Sequence, residues 1–304
     1  MKSATERMRE FVKYHITGDG ECNNVVLRGY ADKHGLDLQH RYELAFFFSI
    51  TYSVVSASVL FENQRDVFRD INSWVERNKP LLVFQSDRKY VKMRDSFNKL
   101  LEFFENRAKS VEWFLEKTSR NGKIILSKAI PEIEGWAMFG RFSAFLLLET
   151  FVNLTDFPIE NTTIEWKRGN TATSGLLNLF CMDDAANLFD KRGMLRVPDE
   201  TMDKMLRQTM KAIGEAGGST NVTEIETSLC AYRKFYKASR YNGYYLDRML
   251  EEIVKMRTDF PEITKEYLEI RAEKFPHKYL GECGGWHGVR PMMKKVYITT
   301  GAVT

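Results

Sequence analysis

The segment that most constrains the fold is hydrophobic on almost every side. Residues 40–62, HRYELAFFFSITYSVVSASVLFE, place apolar side chains at nearly every helical position. A helix without a polar face is buried on all sides rather than lying at a surface. The segment therefore predicts one central, buried helix.

Most of the remaining chain repeats apolar residues with the 3.6-residue period of amphipathic helices, and it contains only seven prolines. We predict helices at 65–78, 87–119 and about 123–131, followed by helices near 173–187 and 199–214. Residues 156–172 predict a loop with one short strand. The fold class is mainly α, a compact helical fold with little or no sheet. We expect a single helical catalytic domain over residues 1–304, with a two-lobed division into 1–120 and 121–304 as an option.

Composition and the absence of known motifs argue against several classes of function. A formal charge of +4 permits a polyanionic partner without requiring one. We find no signal-peptide core and no apolar run long enough to span a bilayer, which predicts an intracellular protein without a membrane partner. Motifs of P-loop, dinucleotide-binding, zinc-protease and serine-hydrolase sites are missing. His277, Cys283 and His287 match no strong zinc spacing, so we expect no metal site.

One short motif stands out. Residues 130–145, IPEIEGWAMFGRFSAF, predict a short helix, a tight connection and a second helix that opens Gly-Arg-x-Ser-Ala. This resembles the helix-hairpin-helix of DNA-repair glycosylases. The resemblance implies that Gly140, Arg141 and Ser143 bind a DNA phosphate, with the glycine permitting a close turn. Trp136-Ala137-Met138 replaces the usual Pro-Gly type of turn, and an ordinary helical corner is the equal alternative.

A second stretch combines cations with tyrosines. Residues 226–253, ETSLCAYRKFYKASRYNGYYLDRMLEEI, predict a helix with one apolar stripe. At helix-like offsets, a second line carries Arg233, Lys237, Arg240, Tyr241, Tyr244 and Arg248. A helix break at Asn242-Gly243 is an equal alternative, and a solvated basic face is the ordinary explanation of the cations.

Three blocks of the chain resemble a known family. RYELAFFFSITYSVVSASVLFE, EGWAMFGRFSAFLLLET and ETSLCAYRKFYKASRYNGYYLDR are similar to bacteriophage amino acid:DNA transferases, also called alpha-glutamyl/putrescinyl thymidine pyrophosphorylases. That family is related to the glycosylase fold. The resemblance implies a phage enzyme of the host cytoplasm that acts in thymine hypermodification. Its partners would be double-stranded DNA with modified pyrimidines and a free amino acid or polyamine, whose amine replaces pyrophosphate on 5-pyrophosphorylmethyl-deoxyuridine.

The implied reaction assigns roles by chemistry. The base must be flipped into a pocket, for which Trp136, Tyr241 and Tyr244 are candidate walls. The pyrophosphate requires cations, so the basic residues of the second line are candidate substrate-binding groups. A carboxylate must accept the amine's proton, and the candidates are Asp156, Glu149 and Glu134. We favour Asp156 because the catalytic aspartate of glycosylases follows the same hairpin.

No cofactor is expected beyond Mg²⁺ that could arrive with the pyrophosphate. Two other functions stay open at this point: a DNA glycosylase acting on a modified base, and a non-enzymatic helical nucleic-acid-binding protein.

Overall fold

The computed structural model describes residues 2–15, 22–84, 94–160, 171–182, 188–190, 194–218, 221–236 and 244–275. The α-helices within these ranges are α1 Ala4–His15, α2 Cys22–Lys33, α3 Leu38–Thr51, α4 Val54–Glu62, α5 Gln64–Arg69, α6 Ile71–Asn78, α7 Arg94–Phe103, α8 Val111–Thr118, α9 Leu126–Glu134, α10 Arg141–Thr155, α11 Thr171–Leu179, α12 Asp199–Glu215, α13 Val222–Tyr236, α14 Tyr244–Met256 and α15 Pro261–Lys274. A 3₁₀ turn, Lys79–Leu81, follows α6, and a π-helical turn, Phe104–Ala108, follows α7. Strands β1 Ser119–Arg120 and β2 Lys123–Ile124 pair antiparallel. The mainly α fold class with little sheet is confirmed for this part of the chain.

The chain divides into two compact units whose segments alternate along the sequence. One comprises Met1–Cys22, Thr163–Asp247 and Phe275–Thr304, and the other comprises Asn23–Thr162 and Arg248–Lys274. The expected single catalytic domain, like the optional division at residue 120, stays a prediction. No helix in the described ranges is long and apolar enough to cross a membrane.

The first unit is built on a close helix crossing. Helix α11 packs on α13, and α1 packs on α12. At the crossing of α11 and α13, a Cβ on Gly175 would collide with the backbone carbonyl of Leu229. Phe11 of α1 meets the buried Tyr232 ring edge-on at 5.4 Å.

The second unit surrounds α3, as the all-round apolar pattern predicts. Helix α3 packs against α4 and α10, and its side chains from Tyr42 to Thr51 are all buried. Phe46 stacks on Phe104 at 3.8 Å, and Tyr42 stacks on Phe114 at 4.7 Å. The Tyr42 hydroxyl donates to the Ala108 carbonyl at 2.6 Å, so its polar end is satisfied inside the core.

The prediction of one helix over residues 40–62 is wrong, because the segment forms two helices. Tyr52 ends α3 in the left-handed region, with φ 53°, and Ser53 begins the next helix. The Ser53 side chain accepts the Ser56 N–H at 3.2 Å, a capping bond that competes with continuation of the preceding helix. Burial was therefore predicted correctly for the segment, whereas its continuity was not.

The same capping chemistry divides two other predicted helices. Asp70 caps α6 through the Ser73 N–H and separates it from α5, so residues 65–78 are not one helix. Ser110 caps α8 through the Trp113 N–H and separates it from α7 and the π-helical turn, so residues 94–119 are not one helix. Residues 87–93 of that predicted helix lie outside the described residues. The helix predicted at 123–131 begins instead at Leu126, after β2.

Candidate active site

The corner before α10 has an open position where the sequence has glycine. Gly140 is the N-cap of α10, with φ −127° and ψ 178°, an extended conformation that any residue adopts. A Cβ at this position would meet no atom within 4 Å. The expected reason for Gly140, a close turn of the backbone, is therefore wrong. What the glycine leaves is space at the positive end of a helix dipole, beside Arg141.

Aromatic and strained residues flank this corner. Phe142 is exposed over 47% of its surface, which is unusual for so large an apolar side chain. The ring of Tyr52 meets it edge-on at 5.7 Å. Tyr52 and the exposed Met138 both have a positive φ, 53° and 62°, which costs a non-glycine residue on the order of 1–3 kcal/mol. Such strain accumulates at functional sites, and here it occurs just before the start of α10 at Met138 and at Tyr52, whose ring contacts Phe142 in the first turn.

A buried carboxyl contacts Ser53, the residue after Tyr52. Glu252, in α14, is 4% exposed, and its carboxyl group hydrogen-bonds the Ser53 side chain at the start of α4. Burial raises the pKa of Glu252 to about 8, although the Ser53 hydrogen bond and the charge of Arg248 act in the opposite direction. The carboxyl therefore exchanges its proton close to neutral pH, as a general acid or base must.

The neighbouring serine fixes this arrangement. The Ser56 hydroxyl donates to the Val83 carbonyl at 2.9 Å and accepts the Val83 N–H at 2.8 Å. It also lies 3.4 Å from the Met256 sulfur, one turn after Glu252 on α14. The start of α4 is thus tied to the helix that carries the buried carboxyl.

Arg248 lies one turn before Glu252 on α14. Its side chain is 40% exposed and forms an ion pair with Glu251 at 2.6 Å. Its charge is close enough to lower the pKa of Glu252. Among the cations predicted to bind substrate, the structure brings Arg248 next to the buried carboxyl.

Asp156, the favoured proton acceptor on sequence grounds, lies at the far end of α10. Fifteen helical residues place it about 22 Å from the corner at Arg141. Arg28 binds both carboxylate oxygens and also donates to the Asn153 carbonyl at 3.1 Å. The hydrogen bond from Arg28 lowers the pKa of Asp156, which makes the carboxylate a weaker base. Asp156 thus ends α10 through its backbone N–H, which donates to the Val152 carbonyl, and its carboxylate holds Arg28, the cation that suits the negative end of the helix.

The other two carboxylates predicted as proton acceptors differ in burial and in their distance from the corner. Glu149 is buried, with 5% exposure, in the middle of α10 about 12 Å from Arg141 along the helix axis. Glu134 is half-buried and is the last residue of α9, just before the connection to the corner. Ser143 is buried within the first turn of α10.

The predicted aromatic and basic groups belong to different elements of the chain. Trp136 is 5% exposed and packs among aromatic rings, including Trp113 at 5.7 Å and Phe139 at 5.5 Å. Arg233, in α13, is half-buried, and Tyr244 is the first residue of α14. Lys237, Arg240 and Tyr241 lie outside the described residues, as do His277, Cys283 and His287, so the predicted continuous line over 233–248 is not tested.

Sequence reasoning missed Tyr52, Phe142 and Glu252. A usable pattern existed for Glu252: it follows Met249 by three residues and precedes Met256 by four, so it shares their buried helix face. No comparable pattern marks Tyr52, because only the break between α3 and α4 brings it to an edge. Among the described residues, no group of three or more His, Cys, Asp or Glu side chains could hold a metal ion.

The chain matches a known protein family. The family model described as amino acid:DNA transferase matches residues 33–241, more than half of the chain. The matched region contains Tyr52, Ser53 and the corner at Gly140, whereas Glu252 lies beyond it. No curated protein matches the chain.

Proposed function

Because the chain belongs to the amino acid:DNA transferase family, we propose that it modifies thymine derivatives in double-stranded DNA. The proposed substrate is 5-pyrophosphorylmethyl-deoxyuridine. The donor amine nitrogen bonds to the exocyclic methylene carbon while that carbon's bond to the pyrophosphate oxygen breaks. The amine loses one proton to a protein carboxylate, and pyrophosphate is released.

The observation that carries the proposal is the buried Glu252 carboxyl bonded to Ser53, adjacent to the Tyr52–Phe142 pair at the α10 corner. We assign the ionised carboxylate of Glu252 as the group that accepts the amine's proton. The description of the family, amino acid:DNA transferase, supports an amino acid as the donor.

The remaining groups supply binding and charge stabilisation. The start of α10 and Arg141 suit a backbone phosphate, because a helix N-terminus and a guanidinium both favour negative charge. Exposed Phe142 and half-buried Tyr52 offer aromatic faces to a base that has left the helical stack. Arg248 is placed to offset the charge that develops on the departing pyrophosphate. Mg²⁺ bound to the pyrophosphate itself would supply further charge.

Mass spectrometry of nucleosides tests the reaction directly. Duplex DNA carrying the pyrophosphorylated base is incubated with the protein and a mixture of amino acids and polyamines, with unmodified duplex as the control. We expect a nucleoside in which the amine has replaced pyrophosphate, together with one pyrophosphate released for each base converted. Abasic sites would instead identify a glycosylase, and binding without any change of mass would identify a non-enzymatic DNA-binding protein.

A further inference from the structure

The only sheet in the described residues is a small basic hairpin. Asn121 and Gly122 connect β1 to β2 with φ values of 52° and 71°, the left-handed geometry of a tight two-residue turn. Arg120, Asn121, Gly122 and Lys123 are all exposed. The tip of the hairpin therefore projects from the second unit with a cation on each strand.

The two cations lie directly opposite each other. Arg120 pairs with Lys123 across the antiparallel ladder, which places their side chains on the same face. Like charges in this position destabilise a hairpin. Neither side chain forms an ion pair with any residue in the described ranges. Folding gains no ion pair from these two side chains, so both cations are available to an external anion.

The hairpin is held rigidly at its base. The Ile124 N–H donates to the Pro158 carbonyl at 2.8 Å, and the Glu160 N–H donates to the Ile124 carbonyl at 2.8 Å. The other strand, β1, is held by Lys128 of α9. The Lys128 ammonium donates to the Ser119 carbonyl at 3.0 Å and to the Glu116 carbonyl at 2.9 Å. A fixed tip loses little conformational freedom when it binds a ligand.

The acidic groups near the hairpin do not cancel its charge. Glu116, on α8, is 73% exposed and lies 3.9 Å from Lys117, which it partly offsets. Glu160 follows the bridge between Ile124 and Ile159 at the base, away from the tip. Lys128 uses its ammonium on neutral carbonyls, so its positive charge adds to that of Arg120 and Lys123.

We propose that the tip of this hairpin, Arg120 with Lys123, binds backbone phosphates of the substrate DNA at a point separate from the α10 corner. The inference rests on the proposed function only in taking duplex DNA as the partner. Helix α9 connects the hairpin to the corner and is about 13 Å long. Contacts separated by that length would span about four base pairs of B-DNA at 3.4 Å each, and the inference takes both contacts to lie on one duplex.

The test is the salt dependence of binding to an unmodified duplex, measured by fluorescence anisotropy. In Arg120→Gln/Lys123→Gln, we expect the slope of log K against log salt to fall in magnitude by about 1.8, since each phosphate contact contributes about 0.9. The charge-conserving exchange Arg120→Lys/Lys123→Arg should keep the wild-type slope. Lys204→Gln/Arg207→Gln removes two exposed cations from α12 and serves as the control for net charge, with an unchanged slope.

Folding provides a second readout. Removing two opposed like charges should leave the midpoint of denaturant unfolding unchanged or higher, whereas the removal of cations needed for folding would lower it.

A double hairpin variant with the wild-type salt slope would overturn the inference, and so would an equal loss of slope in the α12 control. Transfer activity distinguishes the two proposals: a wild-type protein that binds duplex through the hairpin but transfers no amine refutes the proposed function alone.

Discussion

At Gly140 the fold has space for a side chain that the sequence does not supply. The backbone is extended, and no atom lies within 4 Å of the position that a Cβ would occupy. Aspartate and asparagine both suit a helix N-cap in this conformation, and an acidic group is favourable near a helix N-terminus. Gly140→Asp and Gly140→Asn should therefore both fold with wild-type or higher stability.

The two variants should differ in DNA affinity. If a phosphate approaches this corner, the carboxylate of Gly140→Asp repels it, whereas the isosteric amide of Gly140→Asn does not. We expect Gly140→Asp to bind duplex at least about tenfold more weakly than Gly140→Asn at low salt, equivalent to roughly 1.4 kcal/mol. Equal affinities, measured by anisotropy on the two folded proteins, would remove the corner from the DNA interface.

Asp156 should prove to be a capping residue. Its ion pair with Arg28 lowers the pKa of the carboxyl, so the stability that the pair contributes is present at neutral pH and is lost as pH falls through the folded-state pKa. Because the carboxylate is exposed, we expect Asp156→Asn to cost no more than about 1 kcal/mol at pH 7 and less in acid. Chemical denaturation at both pH values measures this. A loss of amine transfer of about a hundredfold in a stable Asp156→Asn protein would restore Asp156 as the base.

At the scale of elements, periodicity predicted burial better than it predicted where helices end. The apolar pattern of residues 40–62 correctly placed the segment at the centre of its unit. The break at Tyr52 depends on one serine side chain that bonds to the backbone three residues later. Whether a serine side chain makes such a bond depends on its tertiary context, so the sequence alone does not predict where this helix ends.

The site shows the same limit. The motif at Gly140 and Arg141 was visible because it is contiguous in sequence. The partner carboxyl was hidden because Glu252 reaches Ser53 only through packing of α14 on the start of α4. Asp156 was favoured because it follows the motif closely in sequence, yet a helix of about 22 Å carries it to the opposite end.

Helix α11 should tolerate no added atom at its crossing with α13. A methyl group on Gly175 would collide with the Leu229 carbonyl, and neither backbone can move without opening the packed interface. We expect Gly175→Ala to destabilise the protein by about 1–3 kcal/mol or more. The matched control is Gly214→Ala on an exposed face of α12, which should raise stability by roughly 0.5–1 kcal/mol. A change in the free energy of unfolding that has the same sign for both substitutions would contradict the close crossing.

At the scale of the whole molecule, composition and periodicity were sufficient for the mainly α class. They did not predict the interleaving of two compact units, because contacts between distant segments such as Asn23–Thr162 and Arg248–Lys274 leave no periodic trace in the sequence. The three blocks that indicated the family lie largely within the matched region.

The buried Glu252 should make the global stability fall as pH rises. Its folded-state pKa of about 8 exceeds the ordinary value of 4.5, so the folded protein retains a proton that the unfolded chain releases. Stability contributed by the protonated carboxyl is complete below pH 4.5 and is lost progressively up to about pH 8. Each pH unit in that window corresponds to about 1.4 kcal/mol for one proton. Denaturant unfolding of Glu252→Gln, measured across the same pH range, should not show this part of the decline in the free energy of unfolding.

The central claim is that Glu252 accepts the proton of the attacking amine. The most direct measurement is single-turnover amine transfer to duplex DNA carrying the pyrophosphorylated base, by the wild type, Glu252→Gln and the control Glu262→Gln. Glu262 is an exposed carboxylate in the first turn of α15 and is not among the charges that shift the pKa of Glu252, so its substitution removes an acidic group without altering the site. We expect Glu252→Gln to lose at least about a hundredfold in rate with little change in DNA affinity, and Glu262→Gln to stay near the wild-type rate. Transfer by Glu252→Gln at the rate of the wild type would contradict the account.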